Sequence, residues 1–191
     1  MQEYTVTRYR FDELSETARE KAIKNMSDTL WNDLEYWLEE SLLEKVGELL
    51  GSDDCNNLRL RYSFSYSQGD GASFTGVLTP EQAPLLSWVE GVEYVDIISI
   101  DTHYAHYNTI GVAYFYKDNE PWSEPSESQQ AQEKVFTEQI KQVCRDLANY
   151  GYKLVEGATN EESAIEYIRE NYADDFTIDG KYDPIYEKVG A

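Results

Sequence analysis

The chain has 191 residues, 41% apolar and 14% aromatic, enough for one domain with a real core and too apolar for a disordered polymer. Lys and Arg number 16 against 37 Asp and Glu, a net charge of −21. That balance excludes a general basic surface for nucleic-acid phosphates and favours a basic partner, although acidity also serves plain solubility.

Gln2–Tyr9 alternates around Tyr4, Val6 and Tyr9, which predicts a short strand. Ser15 follows Leu14 and is a natural helix cap; Ala18, Ala22, Ile23 and Met26 come after it at helical spacing. A second helix is expected from Asp28 or Asn32, with Leu34, Trp37, Leu38, Leu42, Val46 and Leu49 on one stripe and Gly51 as its stop. Leu58–Tyr66 alternates between apolar and polar faces, and Ala72–Leu78 is its hairpin partner. Thr79-Pro80-Glu81 predicts a short helix through Trp88. Tyr94–Tyr104 and Thr109–Tyr116 read as two further strands. Lys117–Ser128, with Pro121 and Pro125, reads as a surface loop. A long helix follows over Gln130–Asn149, its stripe Val135, Phe136, Ile140, Val143 and Leu147, with Gly151 as terminator. Glu161–Tyr172 makes a last helix capped by Thr159 or Asn160, and Phe176–Lys181 a small turn with extended arms. There is no internal repeat. The expectation is a single α+β domain over 1–191, a four-stranded, mostly antiparallel sheet flanked by N-terminal and C-terminal helices.

The stretch Tyr66–Gly76 holds Gly69, Asp70, Gly71 and Gly76 between two strands. Gly-Asp-Gly is a turn signal, because glycine reaches positive φ and Asp bonds its own nearby backbone. It is neither a phosphate-binding loop nor a dinucleotide fingerprint, since no Gly-Lys-Ser/Thr and no helix follows. A carboxylate there suits a cation, a hydroxyl or a donor group better than an anion.

The start Phe11-Asp12-Glu13-Leu14-Ser15 with Ala18 and Ala22, the Ser67–Phe74 loop and the Asp179-Gly180 tail resemble small uncharacterised phage and prophage proteins. The resemblance implies a mobile-element origin and a host bacterial cytoplasm. It carries over no activity and no functional residue. The residues at the start, Met1-Gln2-Glu3-Tyr4, lack a basic region followed by an apolar one, and no run approaches the roughly 20 apolar residues of a membrane span.

The histidines are His103 and His106, in Asp101-Thr102-His103-Tyr104-Ala105-His106. On a strand Asp101 and His103 share a face, and if the hairpin ends lie side by side, Asp70, Asp101, His103 and His106 converge. Such a set suits a metal or a general base, the alternative reading being a small hydrolase or metal-dependent enzyme; the bland reading is a polar strand end with two ordinary histidines. The spacing is not that of His-Glu-x-x-His. Cys55 and Cys144 have no metal spacing, and Asp174, Asp175, Asp179 and Asp183 lack the order of a calcium loop. No metal or cofactor is expected.

The acids have their own pattern. Asp33 precedes Glu40 by a heptad, and Glu40, Glu44 and Glu48 recur every four residues, a rise of roughly 6 Å per step. Between Glu156 and Glu187 stand ten acids, among them Glu161, Glu162, Glu166, Glu170, Asp174 and Asp175, against the two bases Arg169 and Lys181. A solvated face is one reading. The other is imitation of a nucleic-acid strand: a protein, without direct nucleic-acid binding, that inhibits a basic bacterial nucleic-acid-binding protein, of anti-restriction or anti-CRISPR type.

Overall fold

Ser15 starts the first long helix as its sequence suggests: its Oγ accepts the Ala18 amide at 3.3 Å. The computed structural model describes residues 7–183 apart from 53, 56, 66, 118–123, 173 and 174, and the backbone alone over 27–31. The elements are a single 3₁₀ turn at Phe11–Glu13, α1 (Glu16–Leu50), β1 (Arg59–Ser63), β2 (Gly71–Leu78), β3 (Val92–Ser99), a 3₁₀ turn at Tyr107–Thr109, β4 (Ile110–Tyr116), α2 (Glu127–Thr159) and α3 (Glu161–Asn171). The chain divides into two compact units, one of residues 1–36 and 156–191, the other Trp37–Val155.

In the first unit, Phe11, Leu14, Ala18, Ala22 and Met26 form one core with Ile168 of α3 and Phe176. The alanines at helical spacing let the backbone come close: a Cβ on Gly180 would stand 1.9 Å from the Ala18 carbonyl oxygen, and Gly180 has φ +81°. Only glycine fits there. Tyr9 of the expected first strand pairs with Phe176, and Phe176 with Tyr182; residues 2–6 of that strand lie outside the described residues. The Thr177–Lys181 turn closes through the Thr177 amide on the Lys181 carbonyl at 2.9 Å.

The second unit is an open antiparallel sheet in the order β1-β2-β3-β4. With helices toward both ends of the chain, the class is α+β. The first half of β2 pairs with β1 (Leu60 opposite Phe74) and its end with β3 (Gly76 opposite Ile97). Gly76 sits at that change of partner with φ +134°, and a Cβ there would lie 2.6 Å from the Asn57 carbonyl oxygen. Alternation sends Phe74, Leu78, Val95, Ile97 and Ile110 to the buried face. There Tyr114 donates from its hydroxyl to the Glu133 carbonyl of α2 at 2.7 Å, and Phe136 meets Trp88 and Tyr114 rings at 4.9 and 5.9 Å. The opposite face is open and shows Val77, Ile98 and Phe115.

Five expectations need correction. Asp28 and Asn32 do not begin a helix; α1 runs through them unbroken. Thr79–Trp88 is not helical: the Ala83 amide reaches the Thr79 carbonyl at 3.1 Å for one turn, and Pro84 then has no N–H to continue. Gly151 does not end α2, which continues to Thr159, because the Phe64 ring occupies the space a side chain at 151 would need. Val135, expected inward on that helix, is exposed. Finally β3 stops at Ser99 rather than Tyr104, so Asp101 and His103 belong to a loop.

Candidate functional site

The loop from Ser63 to Gly71 is built around Asp70. Its Oδ2 accepts the Ser67 amide at 2.7 Å and the Ser65 hydroxyl at 2.8 Å, and its Oδ1 accepts the Ser67 hydroxyl at 3.1 Å. Partial burial acts to raise this carboxyl; bonds from the Ser63 hydroxyl, the Ser67 amide and the Ser65 and Ser67 hydroxyls outweigh it and hold the pKa down at about 2. A carboxylate has about four lone-pair sites, so the loop's own donors nearly fill it. Gly69 has φ +90° and Gly71 φ +147°, the positive φ expected of the Gly-Asp-Gly order.

The β3–β4 loop docks on this one. The Ala105 amide donates to the Gly69 carbonyl at 3.2 Å, and the Tyr104 ring lies so close over Gly69 that a Cβ would be 2.0 Å from it. Arg61 of β1 fixes the loop from the other side: it donates to the Ser99 hydroxyl, to the Asp101 carbonyl at 3.1 Å and to the Thr102 carbonyl at 2.6 Å. Asp101 folds back locally, its Oδ1 accepting the His103 amide at 2.8 Å and lying 3.3 Å from His103 Nδ1. The His103 amide bond lowers the Asp101 pKa most, with the nearby imidazole and Arg61 adding to it against some desolvation. The Asp101–His103 pair thus arises from a two-residue side-chain turn, not from strand alternation.

The hairpin ends do lie side by side, but the four residues do not form one cluster. Asp70 and His103 line a groove of about 610 Å³ with Arg61, Tyr62, Gln68 and Tyr104. His106 faces a second, smaller cavity of about 250 Å³ with Asp70, Arg145 and Asn149, and its Nδ1 accepts the Asn108 amide at 3.2 Å to cap the Tyr107–Thr109 turn. Among the described residues no group of three or more His, Cys, Asp or Glu is placed to hold a metal ion. A carboxylate with a pKa near 2 has little basicity for proton abstraction at neutral pH. What the groove offers is a fixed negative charge flanked by tyrosines and a histidine. Sequence reading missed Arg61, Tyr104 and the three serines as its builders; the one usable signal was the polar alternation Arg59, Arg61, Ser63, Ser65.

The acidic residues separate into surface and interior. Glu40, Glu44 and Glu48 of α1 are exposed, Glu48 taking an ion pair from Lys45 at 2.7 Å. Asp33 leaves that row: it is half-buried, and its Oδ2 accepts the hydroxyls of Tyr167 and Tyr172 at 2.7 and 2.8 Å. Burial first, then the bonded carboxylate, raises both tyrosines above the ordinary phenol range. On α3, Glu161, Glu162, Glu166 and Glu170 are exposed and line a shallow concavity of about 660 Å³ with Ile165 and Arg169. Asn160 caps this helix, its side chain accepting the Ser163 amide at 2.8 Å, so Glu161 and Glu162 sit at the positive end of the helix dipole. Arg169 is held by Asp12 at 2.7 Å. Asp175 is half-buried, and Asp174 lies outside the described residues. No helix among the described residues is long and apolar enough to cross a membrane. The chain matches no protein-family model, no curated protein and no solved structure.

Proposed function

We propose that this chain is an acidic binding protein of a phage or related mobile element, and that it inhibits a basic, nucleic-acid-binding protein of the bacterial host. One observation carries the reading. Glu162, Glu166 and Glu170 on α3, and separately Glu40, Glu44 and Glu48 on α1, are exposed carboxylates repeating every four residues in a chain of charge −21. Steps of roughly 6 Å along a helix approach the spacing of successive phosphates on a strand. Each row offers a basic groove what a nucleic acid offers it, and the net charge draws such a partner in from a distance. The same charge repels DNA and RNA, so the chain acts in the place of nucleic acid rather than upon it.

Capture from bacterial lysate tests this, with proteins bound to the wild type at low salt identified by mass. The expected catch is basic and nucleic-acid-binding, is released by added DNA and by salt, and is lost on combined Glu162→Lys, Glu166→Lys and Glu170→Lys substitution, on the Glu40, Glu44 and Glu48 equivalent, or on both. A catch indifferent to DNA, salt and both reversals refutes the proposal.

A further inference from the structure

The open face of the sheet carries a carboxylate that the fold does not use. Val95 and Ile97 are buried, so alternation turns Asp96, between them, to the other side. The register fixes its neighbours there: Val77 of β2 and Ala113 of β4 stand directly opposite, and Tyr94 and Ile98 lie two residues away on β3. All four are aliphatic or aromatic. Asp96 is half-buried among them, and within the described residues it has no hydrogen-bond or ion-pair partner.

Such a residue does little for folding. Asp is depleted in strands, and a charge flanked by apolar groups loses water without gaining a partner. Asp33, Asp70 and Asp101 differ, since each accepts hydrogen bonds from this chain. Asp96 keeps its acceptors for a donor from outside.

The apolar surface around it is continuous. Ile98 and Ile100 lean over Gly111: a Cβ there would stand 3.1 Å from Ile100 Cγ2 and 3.5 Å from Ile98 Cγ1. On the other side of Asp96 the Tyr94 and Phe115 rings stack at 4.4 Å. Val77, Ile98, Phe115 and Ile100 remain 39%, 42%, 41% and 65% exposed. Exposed apolar side chains gathered on one face, rather than scattered singly, mark an interaction surface.

Dimensions and charge say what fits. From Tyr94 to Ile100 the chain runs roughly 20 Å, and β2 to β4 span about 10 Å. A helix is about 10–12 Å across with its side chains and rises about 1.5 Å per residue, so roughly 13 residues of helix cover the strip. Asp96 then requires a cation set among apolar side chains. A guanidinium suits it better than an ammonium, being more weakly hydrated and able to meet a carboxylate with two parallel bonds.

We propose that this face docks an amphipathic helix of another protein, and that an arginine within the helix's apolar stripe pairs with Asp96. The acid rows attract any basic protein from a distance. This face needs only one carboxylate and its apolar neighbours, so it stands or falls apart from the nucleic-acid reading.

A displayed library of helices of about 14 residues, randomised on one face and selected on the full chain at high salt, tests it; the salt screens the acid rows. The expected winners carry arginine within an apolar stripe and shift the methyl resonances of Val77, Ile98 and Ile100. Asp96→Asn should weaken them by about tenfold or more and leave the urea midpoint unchanged, since this carboxylate has no partner in the chain to lose. Combined Lys substitution of Glu40, Glu44 and Glu48 should leave them bound. A lowered midpoint in Asp96→Asn would mean that Asp96 serves the fold, and the proposal falls. It falls equally if no helix is enriched, if the winners lack arginine, or if they shift residues elsewhere.

Discussion

Two glycines of one helix should respond to the same substitution with opposite signs. Gly151 and Gly157 both lie within α2. Helix propensity alone says that Gly→Ala stabilises either site by about 0.8–1 kcal/mol. At Gly157 nothing lies within 4 Å of a new Cβ, so that gain should appear nearly whole. At Gly151 the new methyl would stand 2.0 Å from Phe64 Cζ and 2.6 and 2.7 Å from its neighbours. Carbon atoms pack at about 3.5–4.0 Å, so the ring must retreat by roughly 1.5 Å. It has little room: Phe64 is buried, stacked on Tyr62 at 5.8 Å and edge-on to Tyr152 at 5.1 Å. Overpacking of this kind costs about 1–3 kcal/mol, and full expulsion of a buried phenylalanine about 3–5 kcal/mol. The clash outweighs that gain over nearly all of this range, and Gly151→Ala should destabilise by up to about 2 kcal/mol net. Urea unfolding at constant m reads both variants, and adding Phe64→Leu to Gly151→Ala should recover part of the loss. If Gly151→Ala stabilises as Gly157→Ala does, the packing of Phe64 on α2 is wrong.

Gly69→Ala should cost about 1–2 kcal/mol for the positive φ alone, more once Tyr104 is displaced, and a urea midpoint measures it. Asp70 has its pKa lowered from 3.8 to about 2, so its contribution is present above the unfolded value and is lost as pH falls through the folded one. Wild type should lose stability relative to Asp70→Asn between about pH 4 and pH 2 and show a constant gap from pH 5 to 7. A gap that instead changes near neutrality would mean that Asp70 is not held as described.

The sheet was legible because alternation is local: Leu58 to Tyr66 and Thr109 to Tyr116 carry period-two patterns bounded by turn residues. The end of β3 was not, because Ile100-Asp101-Thr102 looks strand-like until Arg61 draws the Asp101 and Thr102 carbonyls aside. Gly151 looked like a helix stop for the same reason; the Phe64 ring that makes a glycine necessary comes from a distant strand end. Asp28 and Asn32 are good caps only where a chain turns, and here α1 does not. At the site, the Gly-Asp-Gly order announced the turn and its positive φ. The contacts that dock one loop on the other, Ala105 to Gly69 and Tyr104 over Gly69, join residues some thirty-five positions apart and leave no periodic trace. Asp33 shows the same limit on a longer scale: its heptad relation to Glu40 is real, but Tyr167 and Tyr172 turn its carboxylate into an internal acceptor.

The most direct test of the binding account is the association rate of this chain with its captured, purified partner as a function of ionic strength. Steered encounters lose rate steeply as salt screens charges beyond about 8 Å, while dissociation changes little. The prediction is a steep fall in association rate for the wild type and a slower, flatter rate after charge reversal of Glu162, Glu166 and Glu170 or of Glu40, Glu44 and Glu48. Folding stability should change little in either variant, since exposed charges contribute at most about 1 kcal/mol. An association rate that is flat with salt and untouched by both reversals would contradict it.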